Sequence, residues 1–279
     1  MLAVVLLLAL DCRMVLRYYK IDTPEISSPI SIVLVTDLHS CYYGKNQERL
    51  IQAIDAEAPD LILMSGDLFD DEMADGNTEA FLAGIGGRYP CYYVTGNHEC
   101  WSGAENFQWK MSILQKYGIT ILSDTCETIQ INGQTINLCG VNDPDIYQIQ
   151  YDSQADPQGY KTAETEKLTT FDQQLDKVNS QAENGAFTIL LSHRPELFET
   201  YVSKGFDLVL CGHAHGGQWR IPGILNGLYA PHQGLFPKYA GGMYDDDGTT
   251  MIVSRGLARE STWVPRIFNP PELVVITIQ

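Results

Sequence analysis

Residues 30–37 read Ile-Ser-Ile-Val-Leu-Val-Thr-Asp, and this stretch decides the fold because an apolar, β-branched run ends at a carboxylate. Such a run predicts a buried strand. Residues 61–64 and 91–95 are similar runs, which end at Gly66-Asp67 and at Gly96-Asn97-His98. Helical spacing follows each run, at residues 46–58, 78–85 and 107–117. The alternation of strand, polar cluster and helix predicts an α/β protein with layered, partly parallel sheets.

The second half of the chain continues this alternation with more strands. Two further strands end at Ser192-His193 and at Gly212-His213-Ala214-His215-Gly216. Asn132-Gly133 predicts a tight hairpin turn between two short strands. The predicted elements of this part of the chain are a helix at 167–178 and strands at 119–122, 128–131, 135–141, 187–191, 208–210, 250–254 and 272–278. Ligands of open α/β sheets bind beyond the carboxyl ends of the strands, so the polar clusters predict one shared site.

Five of the six histidines lie in these clusters. Histidine and carboxylate are the side chains that hold borderline divalent metals. A two-metal site needs about six or seven ligands, with one carboxylate shared by both ions. The clusters supply a set of that size: Asp37, His39, Asp67, Asn97, His193, His213 and His215. Mixed nitrogen and oxygen ligation favours Mn, Fe, Zn or Ni over Ca, and we expect two such ions, with Mn preferred.

Two further cluster residues are candidates for catalysis. Two cations polarise a phosphoryl group and turn a bridging water into the nucleophile. Displacement then needs a proton donor on the leaving oxygen. His98 adjoins the predicted ligand Asn97 and has no ligand role to fill, and Asp70 follows the predicted bridging residue Asp67 by three positions. We therefore expect His98 to act as general acid, with Asp70 as its orienting partner.

The clusters resemble the five motifs of the calcineurin-like metallophosphoesterase superfamily. These motifs are D-x-H, G-D-x-x-D, G-N-H-E, a lone H and G-H-x-H, and all five occur in this order between Asp37 and His215. Residues 213–218 and the segments Ser254-Arg255-Gly256-Leu257 and Pro271-Glu272 are similar to a bacterial branch. That branch contains membrane-anchored phosphodiesterases and UDP-diacylglucosamine pyrophosphohydrolase-like enzymes.

The resemblance implies a fold and a division of roles. The fold would be a four-layer α/β sandwich, with two mixed β-sheets flanked by helices. One metal would be held by Asp37, His39, Asp67 and His215, and the other by Asp67, Asn97, His193 and His213. Asp67 would bridge the two ions. His98 would be the general acid or the transition-state stabiliser, with Asp70 beside it.

The amino-acid composition limits the classes of binding partner and the chemistry of the cysteines. The 279 residues carry a formal net charge of −17, which opposes binding to nucleic-acid polymers. The seven cysteines are odd in number and form no CxxC pair, which argues against a disulfide framework and favours buried thiols.

The N-terminus allows three interpretations. Residues 2–10 are uninterruptedly apolar and Arg13, Arg17 and Lys20 follow, but a membrane-spanning helix needs about 20 apolar residues. The run is a truncated membrane anchor, an interfacial helix or a helix buried on the domain. We favour membrane association through residues 1–20, with a cytoplasmic protein as the alternative. A Pro/Ser stretch at 23–29 reads as a linker, so the expected division is an N-terminal segment at 1–29 and a catalytic domain at 30–279.

Other polar and aromatic residues have two interpretations each. Residues 142–162 show no periodicity, which predicts either a surface insertion or a lid. Arg194 contacts substrate phosphate or serves a helix-capping or surface role. His232 is expected to be a loop residue, Glu99 to stabilise its own turn, and Trp219 to form a pocket wall.

Three functions remain in competition. The preferred one is a metal-dependent hydrolase that cleaves a phosphodiester or pyrophosphate bond, in a small or lipid-linked substrate, by attack of a hydroxide shared by two ions. The alternatives are a soluble nucleotide phosphodiesterase and a catalytically silent metal-binding scaffold. A silent relative would be expected to lack a ligand or His98, and this chain lacks neither.

Overall fold

The structure is a computed structural model that describes residues 7–151, 153–259 and 264–279. Two six-stranded mixed sheets form its centre. The first sheet has the order β1-β14-β2-β3-β4-β5, with β1 Val15–Ile21, β2 Ile30–Val35, β3 Leu61–Ser65, β4 Cys91–Val94, β5 Thr120–Ile121 and β14 Glu272–Ile278. The second has the order β12-β13-β9-β8-β7-β6, with β6 Thr125–Ile131, β7 Gln134–Gly140, β8 Phe187–Leu191, β9 Leu208–Cys211, β12 Gly242–Asp246 and β13 Thr249–Val253. A small hairpin pairs β10 Tyr229–Ala230 with β11 Gly234–Leu235.

Helices cover the outer face of each sheet. Those against the first sheet are Glu48–Glu57, Gly76–Ile85, Asn97–Trp101 and Ala104–Lys116, and those against the second are Pro157–Gln181 and Phe198–Lys204. A short helix, Tyr147–Gln150, precedes the longest one. Three hydrophobic clusters therefore lie between four layers, and the alternation of β2 shows why. Val33 and Val35 face the helices, whereas Ile32 and Leu34 face the other sheet. This is the expected four-layer sandwich.

Parallel pairing gives the two sheets a common active edge. Strands β2, β3, β4 and β5 run parallel, as do β7, β8 and β9, and β13 joins β9 in parallel. The carboxyl ends of these strands meet at one edge of the sandwich, where the polar clusters follow. The sequence-predicted strands at these positions agree with the structure to within one or two residues.

The first strand changes the expected domain boundary. Residues 15–21 pair in parallel with Glu272–Ile278 over their whole length, from Val15 opposite Glu272 to Ile21 opposite Ile278. The folded sheet thus begins well before residue 30. The reason is that Val15, Leu16, Tyr19 and Ile21 supply strand-forming side chains, although Arg17 and Lys20 had suggested a membrane interface.

The residues on either side of this strand also differ from expectation. The stretch 23–29 is an irregular connection, but Ile26 is buried and Ser27 N donates to Gln134 Oε1 at 3.0 Å. The apolar run is described from residue 7 onward, and the rest of it lies outside the described residues. None of the helices in the described parts of the chain is both long and apolar enough to cross a membrane.

The expectation that all the cysteines are free thiols is wrong for one pair. Cys126 and Cys139 are bonded and lie directly opposite each other on β6 and β7. The two-residue turn at Asn132-Gly133 sets this register, because it places Ile131 opposite Gln134. Cys41, Cys91, Cys100 and Cys211 are buried, as expected for thiols that act as small apolar side chains.

The stretch 142–162, which has no periodicity in the sequence, contains helical segments in the structure. It contains a 3-10 turn at Pro144–Ile146, the helix Tyr147–Gln150 and the start of the helix Pro157–Gln181. Asp143 accepts from Asp145 N at 2.9 Å, and Asp156 caps the long helix by accepting from Gly159 N at 3.0 Å.

Candidate metal centre

Every predicted ligand lies in the connection that follows a strand of the active edge, either in a loop or at the first residue of a helical turn. Asp37 and His39 follow β2, Asp67 follows β3 and Asn97 follows β4. From the second sheet, His193 follows β8, and His213 and His215 follow β9. The fold therefore brings the segments that carry these seven residues to one edge of the sandwich.

The loops hold these residues in an uncommon backbone conformation. Asp37, His39, Asp67, His213 and His215 all have φ between 46° and 66°. A non-glycine residue in this left-handed region costs on the order of 1–3 kcal/mol and persists where surrounding contacts enforce it. Five such residues among seven candidates are typical of a functional site.

Two groups of ligand atoms converge and share one carboxylate. Asp37, His39, Asp67 and His215 offer atoms that all lie within 4.8 Å of one another, and so do Asp67, His193 and His213. Asp67 Oδ2 lies 3.0 Å from His193 Nε2 and 3.7 Å from His39 Nε2, so it faces both groups. These two clusters form a candidate binuclear site for divalent metal ions.

Four of the candidate ligands use one polar atom for support and leave the other free. His39 Nδ1 donates to Asp70 Oδ2 at 2.9 Å, and His193 Nδ1 donates to Ser65 O at 2.7 Å. Asp37 Oδ1 accepts from His213 N, and Asp67 Oδ1 accepts from His98 N, both at 2.9 Å. The supporting bonds fix each side chain with its second atom directed into the cluster.

The free atoms test whether metal ions fit. Among the buried polar atoms that have no hydrogen-bond partner within the described residues, six lie in this cluster: Asp37 Oδ2, His39 Nε2, Asp67 Oδ2, Asn97 Oδ1, His193 Nε2 and His215 Nδ1. A buried polar atom without a partner is costly, and such atoms are rare in folded proteins. All six belong to predicted ligands and offer nitrogen or oxygen lone pairs. The donor set therefore fits divalent cations.

The pKa shifts of the histidines in the cluster also agree with a cation-binding site. Burial opposes charge on His193, but the carboxylates of Asp67 and Asp37 outweigh it and raise the pKa of His193 to about 10. Burial and the Arg194 guanidinium lower the pKa of His213, and burial together with His39 lowers that of His215. Negative charge thus collects beside imidazoles, and a divalent cation can take the place of a proton there.

Small residues between the loops make room for the carboxylates. A Cβ added to Gly96 would lie 2.1 Å from Asp67 Oδ1, and one added to Gly212 would lie 2.5 Å from Asp37 Oδ2. Both glycines precede predicted ligands. Any side chain at either position would displace a carboxylate from the cluster.

Comparison with known proteins identifies the family. The model of the family described as calcineurin-like phosphoesterase matches residues 30–217. The chain belongs to this family. A metallophosphoesterase of Helicobacter pylori is 29% identical over 239 residues, which cover 83% of this chain and 55% of the relative. One of Campylobacter jejuni is 28% identical over 282 residues, covering 93% of this chain and 62% of the relative.

These two relatives are longer than the chain, which spans little more than half of their length. The phosphodiesterase YaeI of Escherichia coli is 24% identical over 257 residues, covering 90% of this chain and 83% of that protein. Among solved structures, a dimetal phosphatase from Danio rerio has the same fold. Its TM-score is 0.52 at 12% identity, with 82% of this chain and 88% of that chain covered.

The acidic partner of His98 differs from the prediction. His98 Nδ1 lies 2.6 Å from Asp71 Oδ1 but 3.7 Å from Asp70 Oδ2. Asp70 instead accepts from His39 Nδ1, and its other oxygen accepts from Glu72 N and Met73 N. Those turn contacts direct the Asp70 carboxylate toward His39, so Asp71 is the neighbour that orients His98.

Glu99 does more than stabilise its own turn. Its buried carboxylate accepts from Gly96 N at 2.8 Å, from Asp67 N at 3.0 Å and from Phe69 N at 2.9 Å. The first bond is local and agrees with the prediction. The other two join the Asn97 loop to the Asp67 loop, so Glu99 fixes the distance between two ligand-bearing loops.

Arg194 is not a surface residue, and its side chain makes no capping hydrogen bond to the 3-10 turn Pro195–Leu197 that follows it. It is buried, and its Nε and Nη2 donate to Asp143 at 2.5 and 2.7 Å. Its Nη1 lies 2.6 Å from His232 Nδ1 and 3.3 Å from His213 Nε2. His232 in turn lies 2.9 Å from His213 Nε2. Arg194 and His232 thus brace His213, a role that sequence position alone does not indicate.

An apolar groove of about 470 Å³ opens beside the candidate metal centre. Its polar end includes His39, His98 and His215, and Trp219 forms a wall as predicted. The remaining wall is mostly apolar: Ala214, Gly217, Gln218, Leu228, Tyr229, Pro231 and Val264. A phosphoester bound at the histidines would therefore place one substituent against apolar side chains.

Proposed function

We propose that the chain is a metal-dependent phosphoric ester hydrolase that cleaves a phosphodiester or pyrophosphate bond in a lipid-linked substrate. The observation that carries the proposal is the apolar groove, which opens at His39, His98 and His215. Two divalent ions, with Mn preferred, would be held by Asp37, His39, Asp67, Asn97, His193, His213 and His215, with Asp67 shared. When bound, they supply Lewis-acid polarisation of the phosphoryl group and activate water.

The chain's own residues then complete the reaction. The Asp71 carboxylate can only accept a hydrogen bond when ionised, so His98 Nδ1 carries the proton of that bond. When the ring is in its imidazolium form, His98 Nε2 also carries a proton and can give it to the leaving oxygen, as a general acid does. The side chain of His98 is 25% exposed, which allows contact with a substrate in the groove.

Apolar residues at the rim of the groove support a lipid-linked substrate. Leu235 pairs with Tyr229, and Phe236 N donates to Leu228 O at 2.8 Å, so both residues adjoin the groove lining. They are 67% and 66% exposed, although side chains of this kind are usually buried. The N-terminal segment approaches the groove wall, because Phe268 N donates to Ala9 O at 2.7 Å and the preceding residue, Ile267, forms a bridge with Trp219. Leu7 and Leu8 beside it are 74% and 60% exposed. A bilayer in contact with both segments would deliver a lipid substrate to the groove.

A series of diesters tests the substrate class. We expect turnover of alkyl p-nitrophenyl phosphodiesters to rise with alkyl length, because each methylene buried in the groove contributes about 0.8 kcal/mol, or roughly a fourfold gain in kcat/KM. Trp219→Ala should flatten this dependence. Trp109→Ala is the matched control, because Trp109 is 58% exposed and does not line the groove.

The outcome separates the substrate from the reaction. Metal-dependent turnover that ignores alkyl length in the wild-type protein would contradict the lipid-linked substrate and leave the hydrolase activity standing. A preference for nucleotide diesters in the same assay would favour the soluble nucleotide phosphodiesterase. Absence of turnover with every substrate and metal would favour a silent metal-binding scaffold.

A further inference from the structure

A second cleft, of about 360 Å³, lies behind the groove wall formed by Trp219. Trp219 forms a bridge with Ile267, and Arg220 N donates to Ile267 O at 2.9 Å. Successive side chains of an extended segment point to opposite sides. Trp219 therefore lines the groove, whereas Arg220 lines the second cleft together with Arg17, Tyr18, Tyr19, Gly241, Gly242 and Arg255.

The cleft concentrates positive charge in an acidic chain. Three arginines line it, in a protein whose formal net charge is −17. Arg17 and Arg255 share the carboxylate of Glu272. Arg255 Nε donates to it at 2.5 Å, and Arg17 Nε lies 3.8 Å from it. Arg220 has no ion pair with any described residue and donates to the amide oxygen of Asn226 at 2.6 Å. Glu57 also adjoins the cleft, because it accepts from the Tyr18 hydroxyl at 2.9 Å. Three guanidinium groups against two carboxylates leave an excess of one positive charge.

The guanidinium groups are held by their surroundings. Arg255 is 5% exposed, and a Cβ added to Gly241 would lie 2.7 Å from its Cγ, so glycine is needed for Arg255 to occupy this position. Burial and the charge of Arg255 lower the pKa of Arg220. Mutual repulsion of this kind costs free energy in the empty cleft, and an anion would relieve it.

We propose that the cleft between Arg17, Arg220 and Arg255 binds a phosphate-type anion, at a site distinct from the reacting phosphoester. Guanidinium groups match phosphate oxygens in geometry and charge, and such contacts are stronger than neutral hydrogen bonds. Free phosphate and a phospholipid headgroup share this chemistry. Ile221 and Ile224 lie one and four positions after Arg220 and are 49% and 84% exposed, so they could contact acyl chains beside a bound headgroup.

Two probes distinguish these sources, both applied to the metal-loaded full chain. The first is inorganic phosphate, followed by calorimetry. The second is phosphatidylcholine vesicles with and without phosphatidylglycerol, followed by co-sedimentation. The test variant is Arg17→Gln combined with Arg220→Gln, which leaves the buried Arg255–Glu272 pair intact. The control is Arg49→Gln combined with Arg88→Gln, which removes the same charge at exposed positions outside the cleft.

We expect the test variant to bind at least one probe about tenfold more weakly than the wild-type chain and the control. Loss of a phosphate-binding step, with the step at the metal centre retained, would assign a free anion to the cleft. Loss of phosphatidylglycerol-dependent sedimentation alone would assign a lipid headgroup. Equal binding of both probes by the wild-type chain, the control and the test variant would overturn the proposal. Metal content, measured in parallel, shows whether each variant is folded.

Discussion

At the scale of single residues, the adjacent carboxylates Asp70 and Asp71 support different histidines. Asp70 holds His39, a predicted metal ligand, and Asp71 holds His98, the predicted general acid. A sequence motif cannot distinguish the two roles, because neighbouring residues in a turn can each reach either ring. The backbone bonds that Asp70 accepts from Glu72 and Met73 decide the matter.

This division of roles predicts opposite effects for two conservative substitutions. Asp71→Asn should lower turnover of an alkyl diester and leave the metal content intact, because His98 loses only its orienting charge. His98→Ala should show the same pattern more strongly, with a loss of about 10²–10⁴-fold. Asp70→Asn should instead lower metal content, since the imidazole of His39 is no longer held.

Metal stoichiometry and turnover on alkyl and nitrophenyl diesters check this prediction. The losses from His98→Ala and Asp71→Asn should shrink with nitrophenolate, which hardly needs a proton on leaving. If Asp71→Asn stripped a metal ion, or Asp70→Asn left both ions in place and damaged turnover alone, the assignment would be reversed.

At the scale of elements, the edge strand β1 sets the beginning of the folded unit. Removing residues 1–21 should destabilise the first sheet. The strand Glu272–Ile278 would lose its backbone hydrogen bonds to β1 and would become an exposed edge. Removing residues 1–10 should leave the sheet intact. Thermal unfolding of both truncated chains checks this prediction. A chain without residues 1–21 that unfolds at the same temperature as the full-length protein would show that β1 is dispensable.

The disulfide between β6 and β7 should stabilise the outer hairpin of the second sheet. Replacing Cys126 and Cys139 with Ala should lower the free energy of unfolding by about 2–4 kcal/mol, as expected for a short closed loop. Turnover should remain, because neither residue is among the candidate ligands or lines the groove. Denaturant titration of the wild-type chain with and without reductant measures the same difference, and coincident curves would contradict the prediction.

The sequence predicted elements better than it predicted the contacts between them. Strand ends were recognisable because apolar runs stop at Asp37, Asp67, Asn97 and His193. The disulfide was within reach as well, since a turn at Asn132-Gly133 implies that Cys126 faces Cys139. In contrast, nothing local reveals that Arg194 pairs with Asp143 or that Glu99 binds the Asp67 loop, because these contacts depend on packing between distant segments.

At the scale of the whole molecule, the sandwich places the ligand-bearing loops of both sheets at one edge, with the apolar groove beside them. Each sheet alone contributes an incomplete ligand set: the first supplies Asp37, His39, Asp67 and Asn97, and the second supplies His193, His213 and His215. The candidate site therefore forms only when the two sheets pack. Metal ions that bind residues of both sheets should stabilise the folded chain as a unit.

The central claim is that two divalent ions bind per chain and share Asp67. Elemental analysis of the purified chain, with turnover measured on the same samples, tests it most directly. The comparison is between the wild-type chain, Asp67→Asn, and the control Asp176→Asn, whose carboxylate is 63% exposed and remote from the cluster. The account predicts two ions in the wild-type chain and the control, and loss of metal together with activity in Asp67→Asn. Two ions and full turnover in Asp67→Asn, or an active wild-type chain without metal, would contradict it.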